Sequence, residues 1–313
     1  MNRADHIALN SKHISKITLH DEHVILDYAS NPPVERSKLP KDSRVKLFRV
    51  DSQSDEWWLT QAYNMAFALA NGDYIIKVDA DAIINEDFVS NLITKIDETG
   101  ADLFCSRLTR QEWSLPDGFF ITNGLFACKK KSLALIRGFN PYIQGWGWDE
   151  LDLFSRFFLS GLTISKIPEC GVSSIDHGDE LRGLNNNKPT NFSSKEKKEK
   201  GSPDLSSLKK AISEKNRQIA VQCIAKDVGW PSFDDYLQSY RLSNKCPDLK
   251  PVCLFDHSEL ADLNAALVRR LISPSAAGEV YCRLLKVLSY GPYSPEKSSK
   301  LIKKFGLDLS LVT

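Results

Sequence analysis

Over roughly the first 180 residues, short apolar runs alternate with longer stretches in which apolar residues recur every three or four positions. The first such stretch, 4–20, is weakly amphipathic, with Ile7, Ile14 and Ile17 on one side. HVILDYAS (23–30) is an apolar run closing in polar, turn-prone residues and Pro32-Pro33, the pattern of a buried strand. VKLFRVD (45–51) predicts a second strand. A helix is expected from Asp55, with Asp55 and Glu56 in its first turn, where the helix dipole favours acids. Trp58, Ala62, Met65 and Leu69 then follow at helical spacing, and Asn71-Gly72 stops it. YIIKVD (74–79) predicts a third strand. Asn85 is placed to cap the next helix, with the stripe Phe88, Leu92, Ile96 and Gly100 at its end. A further helix opens on Asp149, Glu150 and Asp152, carries Leu151, Phe154, Phe157 and Phe158 on its apolar face, and stops at Gly161.

Strands alternating with helices predict an α/β fold with a mostly parallel sheet and helices on both faces. Ligands of such sheets sit beyond the carboxyl ends of the strands, which singles out Asp27 to Ser30 and Asp79 to Asp81. The pattern changes after His177. Residues 183–207 hold almost nothing that can be buried and read as a flexible loop or linker. Beyond it the stripes of ELADLNAALVRRLI (259–272), AGEVYCRLLKVLSY (277–290) and PEKSSKLIKKFGL (295–307) are helical. The expected organisation is an α/β domain at 1–182, a linker at 183–207 and a mainly helical appendage at 208–313.

Composition narrows the picture by exclusion. A chain of 313 residues suffices for one large domain, or a domain with an appendage. With 41 Lys+Arg against 40 Asp+Glu it lacks the basic footprint of phosphate-backbone binding, so no nucleic-acid partner is expected. No stretch approaches the roughly 20 apolar residues that span a bilayer. MNRADHIALN has no apolar core of the secretory kind. Seven cysteines without a C-x-x-C pair read as reduced thiols. A cytoplasmic globular protein is expected. The basic tail (Lys300, Lys303, Lys304) fits peripheral contact with an anionic membrane, and fits an ordinary solvated helix equally.

Three constellations bear chemistry. In Asp79-Ala80-Asp81, at a strand end, one carboxylate can take sugar or ribose hydroxyls and the other a hard divalent cation that bridges phosphates. A solvated acidic turn explains the pair as readily. In GWGWDELDLFSRF (145–157), acids in the first helical turn stay ionised, which suits a general base. Trp146 and Trp148, separated by glycine, offer flat apolar faces for sugar rings; the alternative is ordinary helix charging beside two core tryptophans. His177 is a lone histidine that gains weight only by company, as an imidazole ligand beside Asp81. Gly124, after Asn123, would let a donor approach the backbone closely, and is equally a plain turn.

Together these residues resemble the inverting glycosyltransferases of the GT-A fold. Asn2-Arg3 matches the residues that follow the first strand in the large family-2 type. HVILDYAS matches its second strand, with the nucleotide-contacting acid at Asp27, and QAYNMAFALANGDYIIKVDAD (61–81) resembles its helix leading into the D-x-D strand. NGLFACKKKSLALIRGFNPYIQGWGWDELDLFSRF (123–157) is similar to the C-terminal module of β-1,4-galactosyltransferases and chondroitin-type polymerases. There G-W-G-G-E-D is followed by a metal-binding histidine. The likeness covers about 2–182, and the strand that opens the family's sheet is not represented.

The resemblance implies a Rossmann-like GT-A sheet. It implies Mn²⁺ (or Mg²⁺) on Asp81 and His177, and donor contacts from Asp27, Asp79, Gly124 and Trp146. Glu150 would be the base, Asp149 an acceptor contact, and Trp146 and Trp148 the acceptor border. Trp148 stands where the second glycine is usual, and Asp149-Glu150 reverses the usual order. The implied activity is metal-dependent transfer of a hexose or N-acetylhexosamine from a UDP-sugar, galactosyl donors favoured, to a hydroxyl of a glycan or glycoconjugate in polysaccharide biosynthesis. A nucleotidyltransferase would need a glycine-rich phosphate loop near the start, which is absent. A non-catalytic nucleotide-sugar or glycan-binding protein is the alternative from another class. Acids at 79, 81, 149 and 150 argue against it.

Overall fold

The computed structural model describes residues 3–50, 58–105, 124–143, 145, 147–175, 215–217, 219–220, 223 and 230–245. Helix α1 (Ala4–Ile14) leads to strand β1 (His23–Tyr28), and β2 (Val45–Val50) lies parallel to it. Helix α2 (Leu59–Leu69) follows, then β3 (Tyr74–Lys77), β4 (Ala82–Ile84) and α3 (Glu86–Thr99). The remaining elements are β5 (Leu103–Cys105), β6 (Phe126–Lys129), α4 (Lys130–Leu135), α5 (Asp149–Leu159), β7 (Ile164–Lys166), β8 (Val172–Ser174) and α6 (Phe233–Lys245).

The central sheet runs β3-β6-β5-β7 and separates two apolar layers. Side chains alternate across it with period two. Ile75, Leu103, Cys105, Phe126 and Cys128 face a core shared with α2, α4, α5 and α6, while Tyr74, Ile76, Phe104 and Ala127 face α3 and the end of α1. Helices on both faces are therefore realised. Phe126 and Phe139 are fully buried in the first layer with centroids 6.0 Å apart. Burial of each such ring stabilises by roughly 1.5–3 kcal/mol.

The sheet is mixed rather than mostly parallel. Among the described pairs, β1–β2 and β5–β7 are parallel, whereas β3–β6, β5–β6 and β4–β8 are antiparallel. The cause is β6, whose four residues enter between β3 and β5 in the opposite sense. So short a run has no periodicity that would show its direction.

Helix boundaries follow their signals. The Asn85 side chain accepts from the Phe88 N–H at 3.1 Å, and Gly100 closes α3 in the left-handed conformation at φ 56°. Ala62, Met65 and Leu69 line the buried side of α2, but its first residue is Leu59. Trp58 stands outside the helix, its indole N–H donating to the Pro141 carbonyl at 2.8 Å. Asp55 and Glu56 lie outside the described residues, as do the 183–207 linker and the three stripes beyond 258. Within the C-terminal region, α6 packs on the main core through Phe233 and Tyr236, and its Tyr240 ring meets Phe48 edge-on at 5.7 Å. No described helix is long and apolar enough to cross a membrane.

Candidate functional site

Strand β3 ends at Lys77, and the chain turns through Asp79-Ala80-Asp81 into β4, closed by the Ala82 N–H on the Asp79 carbonyl at 3.0 Å. From α1 the buried Asn10 amide donates to the carbonyls of Asp79, at 3.4 Å, and of Ala82. The acid pair is thus held by a neighbouring helix as well as by its own strand.

Asp79 turns inward. Its Oδ1 accepts from the Tyr63 hydroxyl at 2.6 Å and lies 2.8 Å from Lys77 Nζ. Lys77 also donates to the Gly124 carbonyl at 2.6 Å and pairs with Glu150 Oε1 at 3.1 Å, while its ammonium lies 4.8 Å from the Tyr63 ring centre. Although burial disfavours its charge, the carboxylates of Asp79 and Glu150 hold Lys77 well above the ordinary lysine range, so it stays protonated. Burial and the Asp79 charge raise the Tyr63 hydroxyl, which remains a donor. Gly124 fits only because it has no side chain. A Cβ there would fall 2.0 Å from Asp79 Oδ2 and 3.3 Å from Lys77 Nζ.

Asp149 and Glu150 open α5 as the sequence predicts. Enclosure pushes the Asp149 carboxyl above the usual range, and the Lys77 charge and the backbone N–H groups of the helix start oppose that rise only in part. The preceding loop needs left-handed backbone at Gly145 (φ 72°), Gly147 (φ 91°) and Trp148 (φ 71°). Trp148 therefore occupies a conformation that favours glycine. The helical segment at 215–217 holds this loop from behind, the buried Asn216 amide donating to the Gly147 carbonyl at 2.9 Å.

Asp81 Oδ2 lies 3.5 Å from Arg3 Nη1. The Asp81 carbonyl accepts from the Ile175 N–H at 2.7 Å, extending the β4–β8 pairing to a point two residues before His177 in the chain. His177 and Trp146 themselves lie outside the described residues, and so do Asn2 and Asn123. Among the described residues no cluster of three or more His, Cys, Asp or Glu is arranged to hold a metal. Asp81, partly exposed beside the strand end, could supply one hard oxygen ligand of a divalent cation.

Asp27, at the end of β1, is enclosed rather than open. Its carboxylate takes the Ser30 N–H at 3.0 Å and the Val34 N–H at 2.9 Å, and pairs with Arg49, its register partner on β2. Burial would raise this carboxyl, but those bonds outweigh it and hold it below the usual range. In this geometry Asp27 shapes the 27–34 loop, and that loop borders the strand ends.

The structure thus gathers Asp79, Gly124 and Glu150 around one ammonium, sets Asp149 beside them, and places Asp81 and Trp148 on the flanks. Sequence reasoning passed over Lys77 and Tyr63. The signal for Lys77 was available: a charge inside the apolar strand YIIKV must find partners, because an unpaired buried ammonium is too costly to keep.

A strand-end acid pair thus meets an acid-opened helix beside an α/β sheet covered on both faces. Residues 14–139 match the model of glycosyl transferase family 2, and residues 108–178 match that of the N-terminal domain of galactosyltransferase. Both models describe glycosyltransferases, so the chain is glycosyltransferase-like across the segment that holds the site. It is 28% identical over 106 residues to Glycosyltransferase GlyG of Streptococcus pneumoniae serotype 4 (strain ATCC BAA-334 / TIGR4). That match covers 34% of this chain and 34% of the relative, so the chain spans about a third of the length of the curated relative it matches. Among solved structures it is similar to a mutant Drosophila β-1,4-galactosyltransferase 7 in complex with manganese, UDP-Gal and xylobiose. The identity there is 14%, the TM-score 0.41, and the coverage 64% of this chain and 76% of the other. It is also similar to GalNAc-T7 with UDP, GalNAc and Mn²⁺, at 17% identity and TM-score 0.44, covering 94% of this chain and 55% of the other.

Proposed function

We propose that the protein is a metal-dependent inverting glycosyltransferase moving a hexose or N-acetylhexosamine from a UDP-sugar to a hydroxyl of a glycan or glycoconjugate. The observation that carries this reading is the convergence of Asp79, from the end of β3, and Glu150, from the first turn of α5, on the single ammonium of Lys77. Two acids 71 positions apart in sequence thereby become one site.

Glu150, paired with Lys77 at the start of α5, takes the proton of an acceptor hydroxyl. The hydroxyl oxygen forms its bond to the anomeric carbon on the face opposite the diphosphate, and the bond to the diphosphate breaks with its electron pair going to UDP. Asp79, aimed by Tyr63 and Lys77, contacts the donor sugar. Asp149 binds the acceptor, and Trp146 and Trp148 border it. Gly124, lacking a side chain, lets the Asp79 carboxylate lie against the backbone on the donor side. Asp27 supports the nucleotide side through the 27–34 loop. Asp81 and His177 would hold the divalent cation, Mn²⁺ or Mg²⁺, which supplies charge neutralisation on the departing diphosphate. A cytoplasmic setting, with peripheral membrane contact and a polysaccharide acceptor, belongs to the same reading and rests on the sequence alone.

The test is UDP release from a panel of UDP-sugars, with Mn²⁺ or with EDTA, by the wild type and Asp81→Ala. Metal-dependent release from one sugar, lost in the variant, supports the reading. UDP binding without turnover of any donor or acceptor refutes catalysis and leaves a nucleotide-sugar-binding protein.

A further inference from the structure

We propose that Lys77 is a positioning residue that sets the donor contact Asp79 and the base Glu150 against one another, so that the two halves of the site are aligned through a single cation. The inference rests on the glycosyl-transfer reading for the roles of the two acids, and on the geometry alone for the clamp.

Lys77 lies on the same face of β3 as Ile75, which belongs to the main core, and its side chain is 4% exposed. An ammonium in such a place has three N–H donors to satisfy. It has three acceptors within 3.1 Å: Asp79 Oδ1, the Gly124 carbonyl and Glu150 Oε1. Each acceptor comes from a different segment, namely the strand-end turn, the lead into β6 and the start of α5. The Tyr63 ring, on α2, lies beside the same ammonium, and its hydroxyl holds the same Asp79 oxygen.

A lysine that served only to neutralise buried charge would need one carboxylate partner. This one spans two, and they are the two acids assigned to opposite substrates. Removing the ammonium leaves Asp79 and Glu150 as like charges about a vacated point some 3 Å from each. Both then turn away from it, and the base loses its alignment with the donor.

The experiment is a double-mutant cycle on the full chain with Lys77→Met, Glu150→Gln and the pair together, read in two ways. The first reading is the kcat of transfer with Mn²⁺ and the UDP-sugar that the wild type uses. Lys77→Met is expected to lose about a hundred-fold, within the range for loss of a general base. The double variant should be no slower than Glu150→Gln, because residues that act as a unit do not have multiplicative losses. The second reading is thermal unfolding without ligand. Lys77→Met should lower the midpoint, and adding Glu150→Gln should restore part of it by removing one of the two repelling charges.

A purely structural lysine would lower the midpoint while the kcat losses multiplied, and that result overturns the proposal. Wild-type kcat in Lys77→Met overturns it too. If Lys77→Met does not accumulate as folded protein, Lys77→Arg, which keeps the charge but not the three-acceptor geometry, replaces it in the same cycle. Should the wild type turn over no UDP-sugar, the functional reading falls and the unfolding cycle decides the clamp alone. Restoration by Glu150→Gln supports it, and additive losses overturn it.

Discussion

The closest packing in the site is at Gly124, and Gly124→Ala tests whether Asp79 must stay where it is. The added Cβ would stand 2.0 Å from Asp79 Oδ2 and 3.1 Å from its Cγ, where ordinary contact begins at 3.4 Å. The carboxylate must therefore retreat by about 1.4 Å, since Gly124 is tied through its own carbonyl to Lys77. Such a retreat breaks or stretches the bonds from Tyr63, at 2.6 Å, and Lys77, at 2.8 Å. A charge-assisted bond of this kind contributes about 1.5–3 kcal/mol. A 1 Å misplacement near reacting groups costs on the order of a hundred-fold in rate. The expectation is that Gly124→Ala loses about a hundred-fold in UDP release at saturating donor and binds the UDP-sugar with Mn²⁺ more weakly by calorimetry. Gly100→Ala is the control. It has open space around the new Cβ but sits at φ 56°, at the end of α3. It should cost about 1 kcal/mol of stability, seen as a lower melting midpoint, with turnover intact. Wild-type turnover and UDP-sugar affinity in Gly124→Ala would refute the argument that Asp79 is held in a working position by the absence of a side chain there.

Three further outcomes follow from the electrostatics and the backbone. Burial raises the Asp149 carboxyl, so the stability tied to it is full below the unfolded value and falls as pH rises through the raised one. Asp149→Asn should therefore unfold at higher urea than wild type at neutral pH, with the advantage shrinking on acidification, while transfer declines. Asp27 has the opposite sign. Its carboxyl is depressed, so its contribution is present above the unfolded value and lost as pH falls through the folded one. Asp27→Asn should cost about 2 kcal/mol in urea unfolding at neutral pH, with the deficit closing in acid. Trp148→Gly and Trp148→Ala both remove the indole, but only glycine is at ease at φ 71°. The glycine variant should be the more stable of the two by about 1 kcal/mol in denaturant titration.

What could be read from the chain, and what could not, divides along a physical line. Features written in consecutive residues were legible: the Asn85 cap and Gly100 stop of α3, the acids opening α5, and the position of Asp79 and Asp81 at a strand end. Each depends on backbone groups within a few residues of the side chain concerned. Features that depend on which strand neighbours which were not. The antiparallel entry of β6 between β3 and β5 is set by tertiary pairing, and it is this strand's lead-in that brings Gly124 onto Lys77. The pairing of Asp27 with Arg49 is likewise a cross-strand matter, because the two are register partners on β1 and β2. The left-handed backbone at Trp148 contradicts residue preference, and only the loop held by Asn216 imposes it. Lys77 falls between the two classes. Its burial was implied by the apolar strand around it, and burial obliges a lysine to gather acceptors. A lysine in that strand therefore calls for acceptors around the end of β3. The sequence did not say that they would be Asp79 and Glu150, which is why two motifs, each weak alone, acquire a common chemistry only once the chain is folded.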